Sequence, residues 1–192
     1  MVRIVAFNGS SRKDGNTAIL LNAVLDELKK EDIETELIHL GGETLSGCIA
    51  CNRCRENKDQ KCAVTNDRVN EYIAKMNQAQ GILLGSPTYI SDMTANMKAL
   101  IERSAIVSRG NGNMFKRKVG AAVIAVRRAG STHVFSSINY FFLITQMIVP
   151  GSNYWNMGIG RNPGDVKDDA EGIQTMKTLG QNMAWLLKKL YG

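Results

Sequence analysis

The feature of this sequence that most constrains its fold is an alternation of short apolar runs with longer segments of helical periodicity. The predicted strands are 2–7, 33–40, 81–85, 119–126 and a short strand that begins at 148–150. Helices are predicted at 16–30, 69–76, 93–107, 131–147 and 168–190. A strand–helix repeat of this kind predicts a parallel sheet with helices on both faces. Five strands fit the doubly wound order 2-1-3-4-5 better than a six-stranded dinucleotide fold.

The chain length is that of one domain, and we expect residues 1–192 to form a single α/β unit. Hydrophobic residues make up 44% and charged residues 22%, which excludes a disordered chain. No apolar run reaches the roughly 18 residues of a membrane span. The first residues lead directly into a strand pattern without a signal-peptide pattern. We therefore expect a cytoplasmic protein with no membrane partner.

The charge of the chain is positive, with a formal net value of +6. A positive protein favours anionic partners, but the charge alone does not choose among nucleotides, nucleic acids and acidic proteins. The basic residues are scattered, and only 6% of the residues are aromatic, so there is little on which nucleic-acid bases could stack. We expect no nucleic-acid partner.

The loop between the first strand and the first helix has the composition of a phosphate cradle. Its glycines allow close backbone approach, its hydroxyls and one arginine offer hydrogen-bond donors, and a helix N-terminus follows. The hydroxyls are those of Ser10, Ser11 and Thr17, and the arginine is Arg12. The glycine spacing matches neither a P-loop nor a dinucleotide fingerprint. Taken alone, the loop is equally typical of a plain helix cap with solvated serines.

The loop after the third strand, Gly85-Ser86-Pro87-Thr88-Tyr89, can present backbone amides in a set direction, because Pro87 fixes the turn. Tyr89 could stack on a flat ligand, or it could simply cover the core above a tight turn. The loop after the fourth strand, Arg127-Arg128-Ala129-Gly130, could close the same pocket or lie on the surface. In a doubly wound sheet these loops share one edge, which favours a common binding site.

The segments Gly9-Ser10-Ser11-Arg12, Gly15-Asn16-Thr17 and Gly85–Tyr89 resemble the NADPH-dependent FMN reductase family, and most of all its iron–sulfur flavoproteins. The resemblance covers nearly the whole chain. It implies a flavodoxin-like fold and an FMN cofactor whose phosphate lies in the first loop. The residues implied for the phosphate are Ser10, Ser11, Arg12, Asn16 and Thr17. It also implies that the isoalloxazine ring lies along the third-strand loop, and that the protein is a homodimer or homotetramer. The residues implied for the ring are Pro87, Thr88, Tyr89 and Ile90, and those for subunit contacts are 109–113 and 154–155.

All four cysteines of the chain lie within a cysteine-rich loop, residues 47–66, inserted after the second strand. They are Cys48, Cys51, Cys54 and Cys62. Residues three apart in a turned loop return to the same side, so the thiolates can converge. Four cysteines suit a [4Fe–4S] cluster. Zinc also takes four cysteines, although zinc ribbons separate their two pairs by 15–20 residues. Free or reversibly oxidised thiols remain a third interpretation.

The combined pattern predicts a flavin-dependent oxidoreductase that binds FMN and passes electrons through an iron–sulfur cluster. Its electron partner would be NAD(P)H or a ferredoxin-like carrier. An alternative keeps FMN without the cluster, as an NAD(P)H-dependent flavin or quinone reductase. A third class is a binding module that uses a zinc knuckle. Because a flavin needs only positioning and electronic tuning from the protein, we assign no catalytic side chain.

Overall fold

The strands of the protein form where the sequence carries its apolar runs, and the helices form where its apolar positions recur every three or four residues. A computed structural model describes residues 2–192. The elements are β1 (Arg3–Asn8), α1 (Asn16–Lys29), β2 (Glu34–His39), α2 (Arg53–Asn57), α3 (Val69–Gln78), β3 (Gly81–Pro87), α4 (Ala95–Gly110), β4 (Val119–Val126), α5 (Ser131–Ile144), β5 (Met157–Ile159) and α6 (Ala170–Tyr191), with a short 3-10 helix at Asp165–Asp168.

The five strands form one parallel sheet in the order β2-β1-β3-β4-β5. The register pairs Ile4 of β1 with Gly81 of β3, and Leu83 of β3 with Ala121 of β4. This is the predicted flavodoxin-like order. The point where the chain reverses its direction across the sheet lies between β1 and β3, at their carboxyl ends.

Two apolar cores lie on the two faces of the sheet, because successive strand side chains point to opposite faces. Ile4 and Ala6 of β1 pack with α1 and α6 on one face. Val5 and Phe7 pack with α3, α4 and α5 on the other face. Helices therefore cover both faces, as the alternation of elements predicts.

The predicted position of the fifth strand was wrong. The residues at 148–150 contribute a single bridge, between Ile148 and Val119, and the strand proper is Met157–Ile159 beside β4. The preceding helix ends at Ile144 rather than at residue 147, and Gln146 has a left-handed φ of 61°. Pro150 lacks the N–H that a strand would need, so pairing stops and resumes later. Gly158 weakens the apolar signal of the real strand, and for that reason the sequence did not reveal it.

Residues 47–66, which we call the cysteine segment, lie between β2 and α3 and contain only the short helix α2. Four of its residues have left-handed backbone angles, namely Ala50, Asn52, Lys58 and Gln60. The segment therefore turns repeatedly, and α2 packs against α4. No helix within residues 2–192 is long and apolar enough to cross a membrane.

Candidate functional site

A small cavity of about 120 Å³ lies at the carboxyl edge of the sheet, where the loops after β1, β3, β4 and β5 meet. We call it the cradle. The lining residues are Ser10, Arg12, Asn16, Thr17, Pro87, Thr88, Tyr89, Ala125, Val126, Arg127, Gly160 and Arg161. All of the predicted cofactor residues except Ser11 and Ile90 are among them. The structure thus brings the two predicted loops together at one place.

The first loop is shaped by its own side chains and by β2. The Asn8 side chain accepts a hydrogen bond from the Ser10 amide at 3.0 Å and donates to the Lys13 carbonyl at 3.1 Å. The Ser10 hydroxyl accepts from the Arg12 amide at 3.1 Å. His39 Nε2, at the end of β2, lies 2.8 Å from the Ser10 carbonyl. These hydrogen bonds hold the loop open around the cavity.

The N-terminus of α1 enters the cradle without a side-chain cap. Asn16 does not fill that role, because its amide donates to the Asn162 carbonyl at 2.9 Å and accepts from the Gly164 amide at 2.8 Å. It ties the loop after β5 to the start of α1. An uncapped helix start presents backbone N–H groups and a favourable dipole to an anion. Thr17 is buried beside it.

The loop after β3 carries an unusual buried hydroxyl and a strained turn. Thr88 Oγ1 is buried and has no hydrogen-bond partner within the described chain, although it lines the cradle. Beyond it, Tyr89 and Asp92 exchange backbone hydrogen bonds of 2.8 and 3.0 Å. The two central residues, Ile90 and Ser91, have φ angles of 49° and 60°. A β-branched residue at positive φ is strained, and Ile90 is also 100% exposed.

Three arginines, Arg12, Arg127 and Arg161, surround the cradle, and no carboxylate lies among its lining residues in the described part of the chain. Guanidinium groups bind phosphate oxygens in pairs of hydrogen bonds, so the site suits a phosphate dianion. The sequence left Arg127 either at this pocket or on the surface, and the structure places it at the pocket. Gly160 and Arg161 were missed, because the misplaced fifth strand hid the loop that follows it.

The loops after β1 and β3 are joined by Thr94, the cap of α4, which the sequence did not single out. Its hydroxyl donates to the Gly9 carbonyl at 2.8 Å, and its amide donates to the Ser86 hydroxyl at 3.1 Å. A side chain at Gly9 would place its Cβ 3.0 Å from that hydroxyl and 3.1 Å from Met97 Cβ. Gly9 thus permits the close approach of the two loops.

The four cysteines line a second cavity, of about 110 Å³, enclosed by the cysteine segment and α4. Burial raises the pKa of the Cys54 thiol, and the nearby Cys62, Cys48 and Cys51 thiols raise it further. Within residues 2–192, no group of three or more His, Cys, Asp or Glu side chains is arranged to hold a metal ion. The predicted metal ligands thus share a cavity, and their convergence on a metal stays a prediction.

Buried polar groups tie the cysteine segment to the rest of the fold. Arg103 of α4 forms an ion pair with Asp67, at 2.5 Å, and their side chains are 0% and 3% exposed. Burial opposes the ionisation of Asp67, but the hydrogen bonds from Arg103 and from two backbone amides outweigh it, so its pKa lies below the usual value. Asn70 accepts from the Cys62 amide at 2.7 Å, and Asn111 donates to the Cys54 carbonyl at 3.0 Å.

The doubly wound sheet, together with a cationic cradle at its switch point, defines a flavodoxin-like protein whose site suits a phosphate-bearing cofactor. Known proteins agree with this class. The family model described as NADPH-dependent FMN reductase matches residues 2–162, and the chain belongs to that family.

Individual relatives and structures support the same assignment. The chain is 39% identical to an iron–sulfur flavoprotein of Methanocaldococcus jannaschii over 97% of this chain and 98% of the relative. The structure of RosB with a bound flavin intermediate is similar, with a TM-score of 0.73 and 16% identity over 99% of this chain and 80% of RosB. A WrbA-like flavodoxin of Agrobacterium tumefaciens has a TM-score of 0.66 and 13% identity, with 97% of each chain covered. The predictions of an FMN-binding, flavin-dependent oxidoreductase and of its fold are confirmed.

Proposed function

We propose that the protein is an FMN-dependent electron-transfer oxidoreductase whose cradle holds the phosphate end of FMN. The observation that carries the proposal is the buried, unpartnered Thr88 hydroxyl in a cavity ringed by three arginines. A buried hydroxyl without a partner costs free energy, and a cofactor oxygen at that place would remove the cost. The cavity is too small for a whole flavin, so the ring would lie outside it along the β3 loop.

Different residues of the cradle would bind different parts of FMN. Ser10, Thr17 and Arg12 would donate to the phosphate, with the first amides of α1 behind them. Thr88 and the amides beyond Pro87 would bond the flavin, and Tyr89 would form part of its wall. When bound, FMN supplies a centre that exchanges electrons singly or as a hydride pair. The protein positions that centre and tunes its potential through hydrogen bonds.

We infer that Cys48, Cys51, Cys54 and Cys62 hold a [4Fe–4S] cluster. The four thiols surround one cavity, which favours a ligand larger than a single ion. A tetrahedral zinc site would need sulfurs about 3.8 Å apart, since each Zn–S bond is about 2.3 Å. Within residues 2–192 no group of side chains is arranged that closely around a single ion, whereas a [4Fe–4S] cluster takes four cysteine thiolates as ligands and these four side chains would hold it. The relative from M. jannaschii bears the name iron–sulfur flavoprotein, which supports the same inference.

The test of the proposal is one spectrum with one metal count. Protein purified anaerobically and reconstituted with iron and sulfide should show flavin absorbance and contain about four irons and four sulfides per chain. Flavin without iron would instead favour the cluster-free NAD(P)H-dependent reductase. Bound zinc without flavin would favour the zinc-binding module and contradict both flavin hypotheses.

The electron partners follow from the chemistry of the two sites. NAD(P)H can deliver a hydride to a flavin, and a ferredoxin-like carrier can exchange single electrons with a cluster. Exposed basic residues flank the cysteines, which suits an acidic carrier. They are Arg53, Arg55, Lys58 and Lys61. Stopped-flow reduction with NADPH, NADH and reduced ferredoxin identifies the partner by the fastest rate. Free thiols suit a reducing compartment, so a cytoplasmic location is part of the proposal.

A homo-oligomer is the remaining part of the proposal. Tyr140, Leu143 and Ile144 form an exposed apolar ridge on α5, next to a groove between α4 and α5 of about 980 Å³. A ridge beside a groove is the arrangement that a twofold interface requires, because each copy offers both surfaces. Tyr154 and Trp155 are also exposed, and they line a second cavity together with Leu143. Sedimentation of the wild-type protein and of Leu143→Glu should separate a dimer from a monomer.

A further inference from the structure

Arg103 is the largest fully buried side chain of the described protein, and its burial needs an explanation. A guanidinium group stays charged in proteins and is costly to remove from water unless every donor is satisfied. Its position in the middle of α4 faces the cysteine segment rather than either apolar core. The role of Arg103 should therefore be found in its contacts with the cysteine segment.

Every hydrogen bond of the Arg103 side chain goes to the cysteine segment or to the residues that flank it. Nη1 donates to Asp67 at 2.5 Å and to the Ser46 carbonyl at 3.4 Å, and Nη2 donates to the Val64 carbonyl at 2.7 Å. These bonds join both ends of the segment to one side chain. They account for the charge and for three of the five N–H groups.

The N–H group on Nε points to a sulfur. Nε donates to Cys62 Sγ at 3.3 Å. A thiol sulfur is a weak acceptor, whereas a thiolate is anionic and accepts strongly from a guanidinium. A purely mechanical clamp would be complete with Asp67, Ser46 and Val64. The Nε–H···Sγ bond is therefore useful chiefly when Cys62 is a thiolate, as it is when it binds a metal.

We propose that Arg103 is a positioning residue that holds Cys62 Sγ through its Nε–H and makes the cluster easier to reduce. This inference rests on the proposed function. Reduction adds one electron to the cluster and leaves the bond from Cys62 to iron in place. A hydrogen bond and a positive charge at a ligand sulfur stabilise the more negative, reduced state and so raise its potential.

The flavin provides an internal reference for this effect. Thr94, at the cradle, lies nine residues before Arg103, which corresponds to about 14 Å along α4. Screening in a protein weakens an electrostatic change over such a distance. Loss of the Nε–H···Sγ bond should therefore lower the reduction potential of the cluster and leave that of FMN unchanged.

The experiment is an anaerobic redox titration of reconstituted Arg103→Lys protein, followed by EPR for the cluster and by absorbance for FMN. Lysine keeps the charge for Asp67 but has no N–H at the Nε position. We expect the cluster to be about tenfold harder to reduce, which lowers its potential by about 59 mV, with the FMN potential unchanged. Arg117→Lys, an exposed arginine substitution outside both sites, should leave both potentials at the wild-type values.

The outcomes separate the inference from the function on which it rests. A wild-type cluster potential in Arg103→Lys, or an equal shift of the FMN potential, overturns the inference, while loss of the cluster from folded Arg103→Lys supports the positioning role. If the variant does not fold, a second measurement uses protein that keeps Arg103 and carries Arg53→Lys and Arg55→Lys, which removes the two arginines beside the cysteines. Pulsed EPR of this protein, labelled with ¹⁵N-arginine, should detect one nitrogen coupled to the reduced cluster. An uncoupled cluster overturns the inference. Wild-type protein without iron overturns the proposed function, and this inference with it.

Discussion

The cradle and the cysteine cavity are similar in size but are built in opposite ways. The cradle is made by loops at the ends of paired strands: Asn8 and Ser10 shape its first loop, and hydrogen bonds of Thr94 and Asn16 join that loop region to its neighbours. The cysteine cavity lies outside the sheet and depends on long-range bonds from α4, above all from Arg103. A site on a sheet edge takes its geometry from strand register, whereas an inserted segment must be fastened by buried side chains. The two sites should therefore fail separately when they are perturbed.

One element nevertheless contacts both sites. α4 is capped by Thr94, whose hydroxyl donates to the loop after β1, and its Arg103 bonds the cysteine segment. A rigid helix fixes the distance between the cradle and the cysteine cavity. Ligand binding at one site need not affect ligand binding at the other. Four predictions test this separation, from the largest expected effect to the smallest.

Cys51→Ser should abolish cluster binding and leave the flavin in place. Cys51 is exposed, so the substitution does not disturb the core. Iron and acid-labile sulfide should fall to background, while FMN affinity stays at the wild-type value. Lys58→Ala, an exposed change in the same segment, should retain the full iron content. Loss of FMN together with the iron would show that the sites are not independent.

Asp67→Asn should destabilise the protein by about 3–5 kcal/mol at neutral pH, because it leaves the buried Arg103 charge without its partner. The pKa of Asp67 is lowered in the fold, so the ion pair stabilises the protein above the ordinary carboxyl pKa of about 3.9. That contribution is lost as the pH falls through the lowered pKa. Denaturant unfolding of both proteins between pH 7 and pH 3 should show their difference shrinking at acidic pH. A difference that is constant with pH would contradict the assignment.

Arg12→Ala should weaken FMN binding by about ten- to a hundredfold, because a hydrogen bond to a charged group contributes about 1.5–3 kcal/mol. Fluorescence titration of apoprotein with FMN measures the change. Lys13→Ala removes a neighbouring charge that does not line the cradle, and it serves as the matched control. The iron content should be the same in both variants. Equal losses of affinity in the two variants would show general charge attraction rather than a contact.

Thr88→Val should have the smallest effect and the most specific one. The Thr88 hydroxyl is buried without a partner in the described residues, so its removal should not lower the stability of the apoprotein. FMN affinity should fall by about fivefold, as expected for a neutral hydrogen bond of about 1 kcal/mol. Thermal unfolding of the apoprotein and FMN titration together provide the test. A less stable apoprotein with unchanged affinity would place the role of Thr88 in the fold alone.

Prediction from the sequence succeeded where the signal is local. The first, third and fourth strands have continuous apolar runs and the second alternates, while the loops at residues 9–17 and 85–89 have the composition of ligand-binding loops. Because parallel strands end at one edge, placing those loops on strands was enough to bring them together. The fifth strand failed because three residues around Gly158 carry almost no apolar periodicity. That error also hid Arg161, which lines the cradle.

The sequence by itself determined the strand–helix alternation, the residues of the flavin loops and the clustering of the four cysteines, since each depends on residues close together in the chain. Only the tertiary structure decided that Arg103 meets Cys62 across 41 positions, that Thr94 joins two loops, and that Asn16 fastens the loop after β5. An arginine in a helix looks the same in sequence whether it faces water or a sulfur. Its role depends on which segment packs over it, and packing is a property of the whole fold.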